Sequence, residues 1–479
     1  MGQPLSALLN RPIATDPIIE GITADSRKVE RGFLFAALPG VRADGRSFAA
    51  AAIEKGAVAV LAGEAIEGVA APVILSSDVR RAYALAAAAF YGVQPKTCMA
   101  VTGTNGKTSV AVFCRQIFMA LGQSAASLGT LGLTANDETL TGPGLTTPDA
   151  GELARMMADI AKRGVTHLAL EASSHGIDQR RLDGVRLAAA GFTNLSQDHL
   201  DYHGTMEAYG QAKLRLFTDL LPRGGTAVLN ADSPAYAMFA AACAVNGHSL
   251  ISVGRAGRDI RLVRLEATPA GQTIDLEVEG CSYTVRLPLA GAFQADNALV
   301  AAGLCIATGL PPSNVIAALE TLKGAPGRLQ YVGASPRGGD AYVDYAHTPD
   351  GLETVLKSLR PHARGRLIVV FGAGGDRDTG KRSLMGKAAH TLADVVIVTD
   401  DNPRSENPAL IRAAILDAAP GATEIGDRHA AIAAGVAMLG PGDVLVVAGK
   451  GHERGQTVGD QVYPFDDVEE TAKALGLTP

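Results

Sequence analysis

The sequence lacks the features of a membrane-spanning, secreted or generic nucleic-acid-binding protein. Although 47% of its residues are hydrophobic, it contains no run of about 18 apolar residues, so no membrane-spanning helix is predicted. Residues 1–19 hold no long apolar stretch that ends at a small-residue cleavage site, so we expect no signal peptide. The 43 Lys and Arg against 49 Asp and Glu give a formal net charge of −6, whereas a generic nucleic-acid-binding protein is usually basic.

Cysteine is scarce and scattered. The five positions are Cys98, Cys114, Cys243, Cys281 and Cys305. Their number is odd, and their spacing matches neither a CxxC motif nor a Cys/His metal site. We therefore interpret them as reduced thiols, most of them buried, in a cytoplasmic protein.

The length and composition predict several packed domains. A chain of 479 residues with only 19% charged residues has enough apolar material for two to four cores, at roughly 100–200 residues per domain. Segments rich in Gly and Pro at residues 92–95 and 324–327 suggest borders. We predict three domains, at residues 1–95, 96–325 and 326–479.

Apolar strands alternate with helical segments, which predicts an α/β fold. The second block is expected to hold a parallel sheet with helices on both faces, with strands at residues 98–101, 165–171, 188–193 and 226–230. Residues 259–288 alternate like antiparallel strands and predict a small added sheet. The third block is a further α/β domain, with strands at residues 367–371, 395–399 and 444–448.

A phosphate-binding loop is predicted at residues 101–108, Val-Thr-Gly-Thr-Asn-Gly-Lys-Thr, between a strand and a helix. Phosphates need inward-pointing N–H groups, glycines that allow close approach and a helix N-terminus. Lys107 would neutralise the β- and γ-phosphates, and Thr108 would offer its hydroxyl to Mg²⁺. Val101 replaces the first glycine of the standard Walker pattern.

A second segment, residues 375–382, has the Walker spacing but not the chemistry. Arg382 stands where Ser or Thr should hold Mg²⁺, and Asp376 and Asp378 would repel phosphates. We interpret this segment as a charged binding loop in which Arg377 grips a carboxylate.

These motifs resemble the Mur ligases, the cytoplasmic ATP-dependent amide-bond ligases that build the peptidoglycan stem peptide. The resemblance covers nearly the whole chain and rests on residues 25–29, 102–108, 171–176, 194–203, 212–217, 344–349, 401–404 and 449–453. In this family the tetrapeptide Asp401-Asn402-Pro403-Arg404 marks the members that add meso-diaminopimelate. The resemblance implies an N-terminal α/β domain for a UDP-linked substrate, a central P-loop-type ATPase domain and a C-terminal Rossmann-like domain for the amino acid.

The implied reaction adds meso-diaminopimelate to UDP-N-acetylmuramoyl-L-alanyl-D-glutamate in peptidoglycan precursor synthesis. ATP phosphorylates the γ-carboxylate of D-Glu, the amine of diaminopimelate attacks the acyl phosphate, and phosphate leaves. The protein must position two anions and neutralise the charge of phosphoryl transfer. The resemblance implies a cytoplasmic monomer with small-molecule substrates, without nucleic-acid or membrane partners.

The resemblance also implies roles for residues around ATP. The expected ATP contacts are Gly103, Thr104, Asn105, Gly106, Lys107, Thr108, Ser109, Asn297, Arg328 and His347. Thr108 and Glu171 are expected to hold one Mg²⁺, and His199 helps with a second. Lys213, on a predicted helix at residues 206–220, is expected to carry a CO2-derived carbamate that reaches the metal. Lys107, Lys213 and His199 are thus the expected catalytic residues.

Two further sets of residues are expected to bind the other substrates. For the UDP-linked substrate, the uridine nucleotide is expected at Ala24, Ser26, Val41, Arg42 and Ala43, and the muramoyl dipeptide is expected at Thr146, Thr147, Ser173, Gln179 and Arg181. Diaminopimelate is expected at Arg377, Asp401, Asn402, Pro403, Arg404, Gly449 and Glu453. Arg404 would pair with the additional carboxylate that lysine lacks, and Glu453 could accept from the distal ammonium.

Four alternatives remain open from the sequence. A lysine-adding member of the same family would replace the motif around Arg404. A folylpolyglutamate synthase shares a similar nucleotide loop but would lack most of the 95 residues that precede it here. A P-loop switch or motor NTPase would carry a full Walker loop. A pure nucleotide-binding module would not need three domains.

Overall fold

The computed structural model describes residues 2–40, 43–268 and 271–477. The chain forms two compact units, Met1–Ile260 with Leu299–Val315 and Arg261–Ala298 with Ile316–Pro479. The predicted α/β class is confirmed, whereas the predicted borders near residues 95 and 325 stay predictions. Within the described ranges, no helix is long and apolar enough to cross a membrane.

The N-terminal part of the first unit begins with two short strands, β1 (Gln3–Pro4) and β2 (Ile18–Ile19), which pair antiparallel. It continues with β3 (Gly21–Thr23), β4 (Phe33–Ala37), β5 (Ala59–Ala62) and β6 (Val73–Leu75), which form a separate parallel sheet in that order. Its helices are α1 (Leu5–Leu9), α2 (Ala49–Glu54) and α3 (Val79–Tyr91). The Ala-rich helix α3 buries Tyr83 against the core, and the side chain of Asp78 caps its first turn.

The remainder of the first unit is built on a larger sheet. Its strands are β7 (Thr97–Thr102), β8 (Ala125–Gly129), β9 (Gly132–Ala135), β10 (Glu138–Thr139), β11 (His167–Glu171), β12 (Leu187–Phe192), β13 (Thr226–Asn230) and β14 (Ser249–Gly254). Its helices are α4 (Lys107–Ala120), α5 (Ala150–Lys162), α6 (Ser174–Asp178), α7 (Leu200–His203), α8 (Met206–Arg215) and α9 (Tyr236–Val245). A π-helical turn, Leu216–Leu220, continues α8.

The strand order of this sheet within the first unit is β10-β9-β8-β11-β7-β12-β13-β14. All pairs from β8 to β14 are parallel, while β9 and β10 are added antiparallel. The predicted parallel sheet is therefore confirmed. The core strands are continuous apolar runs because both of their faces are covered.

The next strands along the chain are β15 (Ile260–Thr268), β16 (Gly271–Val278) and β17 (Cys281–Leu287). β16 pairs antiparallel with β17, as predicted. The second unit also holds a separate six-stranded sheet. The helices α10 (Ala292–Ala307) and α11 (Pro312–Ala318) run across the sequence borders of the units.

The six-stranded sheet has the order β18-β19-β23-β20-β21-β22. Its strands are β18 (Gln330–Ala334), β19 (Asp340–Asp344), β20 (Leu367–Phe371), β21 (Val395–Val398), β22 (Thr423–Glu424) and β23 (Val444–Ala448). A hairpin of β24 (Gly455–Val458) and β25 (Gln461–Pro464) follows. The helices are α12 (Pro349–Leu359), α13 (Lys381–Leu392), α14 (Pro408–Leu416), α15 (Arg428–Ala437) and α16 (Asp467–Ala474). The sheet is mixed, because β18 pairs antiparallel with β19 while the other pairs are parallel.

A buried ion pair joins two helices of the second unit. Arg428, the first residue of α15, donates through Nε and Nη2 to the two carboxylate oxygens of Asp467, both at 2.7 Å. Both side chains are fully buried. Nη2 also donates to the carbonyl of Ala448 at the end of β23, at 3.0 Å. The pair therefore ties α15 and α16 to the sheet edge that carries the C-terminal motifs.

We expect Asp467→Asn to lower the free energy of unfolding by about 3–5 kcal/mol, because it leaves the buried Arg428 charge without its carboxylate. Urea unfolding of the variant and the parent chain measures this difference. Glu470→Gln on the same helix is the matched control. Its partners His429 and Lys473 are exposed, so its expected effect is about 1 kcal/mol or less. Equal effects of the two variants would contradict the expectation.

Candidate functional site

The predicted site residues of the first unit meet at the carboxyl edge of the larger sheet. Strands β11, β7 and β12 are adjacent and parallel, so the residues that follow them emerge side by side. The phosphate loop follows β7, Glu171 ends β11, and Thr193 follows β12. The sequence thus places three separate motifs at one edge.

The phosphate loop is held by the segment after β12. The backbone N–H of Thr104 donates to the carbonyl of Asn194 at 2.9 Å. The N–H of Asn105 donates to Asn194 Oδ1 at 3.0 Å, and Thr193 Oγ1 donates to the carbonyl of Asn105 at 2.6 Å. Thr104 Oγ1 also donates to the carbonyl of Ser196 at 3.1 Å. These contacts preform the loop around the start of α4, where helical N–H groups lack partners within the helix.

Gly103 is required by this close approach. Its φ of 152° favours glycine. A Cβ atom at this position would overlap Thr193 Oγ1 and lie 3.1 Å from the backbone nitrogen of Asn194. The glycine lets the ends of β7 and β12 converge. Gly106 caps α4, and Ser109 is buried in the first turn of that helix.

Two lysines converge on the carbonyl oxygen of Gly103. Lys107 Nζ donates to it at 2.8 Å and to the carbonyl of Thr104 at 2.7 Å. Lys213 Nζ, which comes from α8, donates to the same Gly103 oxygen at 2.7 Å. The side chain of Lys213 also lies over the ring of Tyr209, with 4.3 Å between Nζ and the ring centroid.

Lys213 is only 1% exposed. Burial lowers the pKa of its ammonium group well below its usual range, and the charge of Lys107 lowers it further. Lys213 is therefore not a solvated helix residue. A buried amine with a lowered pKa is neutral in a larger fraction of molecules and is then nucleophilic.

Thr108 and Glu171 form an oxygen-rich corner beside the loop. Thr108 Oγ1 donates to Glu171 Oε2 at 3.0 Å, and the N–H of Thr130 donates to Glu171 Oε1 at 2.9 Å. Glu171 is 3% exposed. Hydroxyl and carboxylate oxygens suit Mg²⁺, which usually takes one or two carboxylates and completes its shell with water and phosphate oxygens. The donor set therefore fits a magnesium ion shared with a nucleotide.

His199 lies in an aromatic and imidazole-rich cluster next to this corner. Its ring centroid is 4.8 Å from that of His175 and 6.2 Å from that of Tyr209. Its Nε2 is 3.4 Å from Asp198 Oδ2. Among the described residues, no group of three or more His, Cys, Asp or Glu side chains is arranged to bind a metal by itself. A second magnesium at His199 would thus depend on substrate or water oxygens.

Most of the predicted dipeptide contacts form one hydrogen-bonded network. Thr147 Oγ1 donates to the carbonyl of Glu171 at 2.8 Å and lies 3.0 Å from Ser173 Oγ. Arg181 donates to the carbonyl of Thr147 at 2.6 Å and to Gln179 Oε1 at 2.7 Å. Thr146 joins through its hydroxyl, 3.0 Å from Thr130 Oγ1. The network connects directly to Glu171.

The predicted uridine contacts lie in the N-terminal sheet region. Ala24 packs against the core of that region. Ser26 begins a 3₁₀ turn that the side chain of Asp25 caps. Ala43 is exposed and precedes Asp44, which forms an isolated bridge with Pro39. Val41 and Arg42 lie outside the described residues.

In the second unit, the predicted ATP contacts surround the end of β19. Asn297 Nδ2 donates to Gln294 Oε1 at 3.1 Å, and Gln294 Nε2 donates to the carbonyl of Arg328 at 3.0 Å. The Arg328 guanidinium lies 4.7 Å from the Tyr345 ring centroid. The ring of His347 lies 4.5 Å from that same centroid.

Burial changes the acid–base properties of two groups here. It raises the pKa of Asp344 to about 6, although Arg328 and the N–H groups of Leu329 and Ala346 act in the opposite direction. Burial also lowers the pKa of His347 below its usual value. Asp344 lies in the motif at residues 344–349. The sequence predicts no role for it, because the motif does not show that its carboxyl group is buried.

Most of the predicted diaminopimelate contacts form a second compact cluster, at the ends of β21 and β23. Asn402 Nδ2 donates to Glu453 Oε2 at 3.1 Å. Gly449 lies next to the carboxylate of Asp401. Pro403 leads into Arg404, whose φ is 50° and whose Nη1 donates to the carbonyl of Gly375 at 2.8 Å.

The loop at residues 375–382 is braced against the same segment. Arg382 donates to both carboxylate oxygens of Glu406, at 2.8 and 2.9 Å. Lys381 Nζ donates to the carbonyl of His347 at 3.0 Å. Arg377 is exposed on this loop. The cations at the end of the loop thus have protein partners, in keeping with its interpretation as a charged binding loop.

Comparisons with known proteins agree with this geometry. Three family models match the chain. The model described as "Mur ligase family, catalytic domain" matches residues 18–91, and "Mur ligase middle domain" matches residues 101–305. The model described as "Mur ligase, glutamate ligase domain" matches residues 327–451. A relative from Caulobacter vibrioides, named UDP-N-acetylmuramoyl-L-alanyl-D-glutamate--2,6-diaminopimelate ligase, is 66% identical and covers 99% of both chains.

Solved structures show the same fold. A structure of a UDP-N-acetylmuramoyl-L-alanyl-D-glutamate--2,6-diaminopimelate ligase is 36% identical over 99% of both chains, with a TM-score of 0.76. The MurF ligase from Thermotoga maritima in complex with ADP has a TM-score of 0.63 and covers 95% of this chain and 96% of that one. At 18% identity this second likeness concerns the fold alone.

We expect Gly129→Ala to weaken magnesium-dependent ATP binding. A Cβ atom at Gly129 would overlap Glu171 Oε1, so the carboxylate must leave Thr108. Mutations that misplace a metal ligand usually cost about 10–100-fold in metal affinity, and calorimetric ATP titrations at several Mg²⁺ concentrations measure this loss. Gly63→Ala is the control, since its added Cβ has its nearest neighbours at 4.0 Å. Unchanged binding in Gly129→Ala would exclude Glu171 from the metal site.

Proposed function

The chain belongs to the Mur ligase family, and we infer that it is the ATP-dependent ligase that adds 2,6-diaminopimelate to UDP-N-acetylmuramoyl-L-alanyl-D-glutamate. The observation that carries this conclusion is the 66% identity, over 99% of both chains, to a relative of that name. The reaction forms an amide bond in peptidoglycan precursor synthesis. We propose meso-diaminopimelate as the stereoisomer, on the basis of the Asp401–Arg404 motif.

ATP is proposed to bind at the start of α4. The loop glycines allow the phosphates to approach the first N–H groups of the helix, which favour anions. Lys107 is close enough to contact the phosphates, because its Nζ already donates hydrogen bonds to carbonyl groups of the same loop. Its role is to neutralise the negative charge of the transferring phosphoryl group.

Thr108 and Glu171 are the proposed magnesium ligands of the first unit. Their side-chain oxygens already lie 3.0 Å apart, and an ion bound there would replace the hydroxyl proton as the partner of the carboxylate. When bound, the metal supplies positive charge at the phosphates. Thr130 positions Glu171 through its backbone N–H.

The muramoyl dipeptide is proposed to lie along Thr147, Ser173 and Arg181. The hydrogen bonds that link these residues to the carbonyl of Glu171 support this proposal, because the dipeptide would then lie beside the proposed metal ligands. The γ-carboxylate of D-Glu would there accept the γ-phosphoryl group of ATP, with release of ADP. The diaminopimelate amine would then attack the acyl carbon. The C–N bond forms as the bond between that carbon and the bridging oxygen breaks, inorganic phosphate leaves with the bridging oxygen, and the nitrogen loses a proton.

Selection of diaminopimelate is proposed to rest on Arg404, Asn402 and Glu453. The guanidinium of Arg404 presents a planar fork to the additional carboxylate. Lysine lacks that group and would leave the fork unpaired, which strongly disfavours it. The compartment proposed for the reaction is the cytoplasm, in keeping with five free cysteines, four of them buried. The proposed oligomeric state is a monomer.

We expect phosphate release from ATP only when UDP-N-acetylmuramoyl-L-Ala-D-Glu and meso-diaminopimelate are both present with Mg²⁺. L-Lysine in parallel should give at most background release, because it cannot pair with Arg404. Mass spectrometry of the nucleotide-linked product identifies the tripeptide. Turnover with L-lysine but not with meso-diaminopimelate would agree with a Mur ligase but would reject the proposed specificity for diaminopimelate. Turnover with neither amine would reject the proposed function.

Lys213 is proposed to react with CO2 and carry a carbamate. Its neutral amine attacks the carbon of CO2, the N–C bond forms, and the nitrogen loses a proton. The lowered pKa of the buried ammonium favours the neutral form that this reaction needs. The cation is thereby replaced by an anion beside Lys107, which would pair with that lysine or with a magnesium ion.

We expect Lys213→Ala to lower kcat by about 10–100-fold, the usual effect of losing a group that orients a metal. Added acetate or bicarbonate should restore part of the rate by supplying the missing carboxylate. Incubation with ¹³C-labelled bicarbonate should give a carbamate signal in NMR of the parent chain but not of the variant. Lys162→Ala, at an exposed lysine of the same unit, is the control. Full activity of Lys213→Ala without added carboxylate would reject the carbamate.

A further inference from the structure

Lys450 is a fully buried cation in the cluster proposed to bind diaminopimelate, and the sequence motifs predict no role for it. It follows Gly449 directly after β23, and its side chain is 0% exposed. Lysine is rarely buried to this extent unless its charge is paired. What surrounds its ammonium group therefore indicates why it is there.

The Lys450 ammonium faces three oxygen atoms, one from each of three residues expected to bind diaminopimelate. Nζ donates to Asn402 Oδ1 at 2.9 Å and lies 3.5 Å from Glu453 Oε2. It lies 3.7 Å from Asp401 Oδ1. The ammonium group thus donates hydrogen bonds to Asn402 and Glu453 and pairs by charge with Asp401. It also offsets the repulsion between two carboxylates held on the same small surface.

The ammonium group determines which way the Asn402 amide points. Lysine can only donate hydrogen bonds, so the amide must turn its oxygen toward Nζ. The backbone N–H of Thr457 donates to the same Oδ1 at 2.9 Å. The amide NH2 is then left to donate to Glu453 Oε2, at 3.1 Å. The orientation of Asn402 in turn fixes Glu453, whose side chain is 37% exposed and can meet a ligand.

We infer that Lys450 is a positioning residue for the amino-acid substrate. It acts by fixing the orientations of the Asn402 and Glu453 side chains. This inference rests on the proposed function, because it takes the cluster as the diaminopimelate site. Lys450 is buried and would touch the substrate only through these two side chains. Its loss should therefore weaken the use of diaminopimelate while leaving ATP and the UDP-linked substrate unaffected.

The test is steady-state kinetics of Lys450→Met, which removes the charge and keeps an unbranched apolar stem. The KM for meso-diaminopimelate should rise at least about tenfold, the size of one lost hydrogen bond to a charged group. The KM values for ATP and the UDP-linked dipeptide should change less than twofold. Lys473→Met is the matched control, because its exposed ammonium pairs with Glu470 away from the cluster, and all its constants should equal those of the parent.

A double-mutant cycle tests the route through Asn402. If Lys450 acts through that amide, Lys450→Met in an Asn402→Ala background should raise the KM for diaminopimelate by less than about twofold further. Lys450→Gln retains a donor for Asn402 Oδ1 and should recover part of the loss. If Lys450→Met does not fold, Lys450→Gln takes its place in the measurement of the KM for diaminopimelate.

Three results would overturn the inference. They are an unchanged KM for diaminopimelate in both Lys450 variants, a uniform loss for all three substrates with a lowered melting temperature, and full additivity in the cycle. Activity of the parent chain with meso-diaminopimelate is measured in the same experiment. If the parent itself is inactive, the proposed function fails, whereas an active parent with an unaffected Lys450 variant overturns only the role of Lys450.

Discussion

The convergence of β7 and β12 at their carboxyl ends fixes the carbonyl group of Gly103, and the candidate site of the first unit is arranged around that carbonyl. Only a glycine fits against Thr193 at this point. The fixed oxygen then receives two ammonium groups, from Lys107 and from Lys213. Both lysine side chains are therefore held at one place by the fold itself, before any substrate arrives.

The same edge explains why residues so far apart in sequence act together. In a parallel sheet every strand ends on the same side, so the loop after β7 and the carboxylate at the end of β11 become neighbours. A second sheet repeats this arrangement in the other unit, where Asp344 ends β19 and the Asp401 segment follows β21. Each unit thus gathers its polar groups at one sheet edge, and the buried apolar strands behind that edge keep it rigid.

The elements that the sequence predicted best are the buried parallel strands. Residues 226–230, 367–371 and 444–448 match β13, β20 and β23 residue for residue, because both faces of such strands are covered and the apolar run stops where burial stops. The nucleotide loop and the Asp401–Arg404 cluster followed from local motifs. By contrast, the local motifs did not predict which individual polar side chains are buried. Lys213 and Lys450 look like solvated residues in sequence, because only the packing of other elements over them removes them from water.

These two buried lysines show how the environment decides the use of one residue type. The Lys450 ammonium is surrounded by oxygen atoms of Asn402, Glu453 and Asp401. Its charge is therefore paired within the protein, and we infer that it orients these side chains. Around Lys213 the protein supplies a carbonyl and an aromatic ring and adds the repulsion of Lys107. A buried charge placed next to a like charge is costly, and the proposed conversion to a carbamate would remove that cost and give Lys107 a partner. A lysine matched by carboxylates is thus suited to hold a site in shape, and one placed against another cation is suited to be modified.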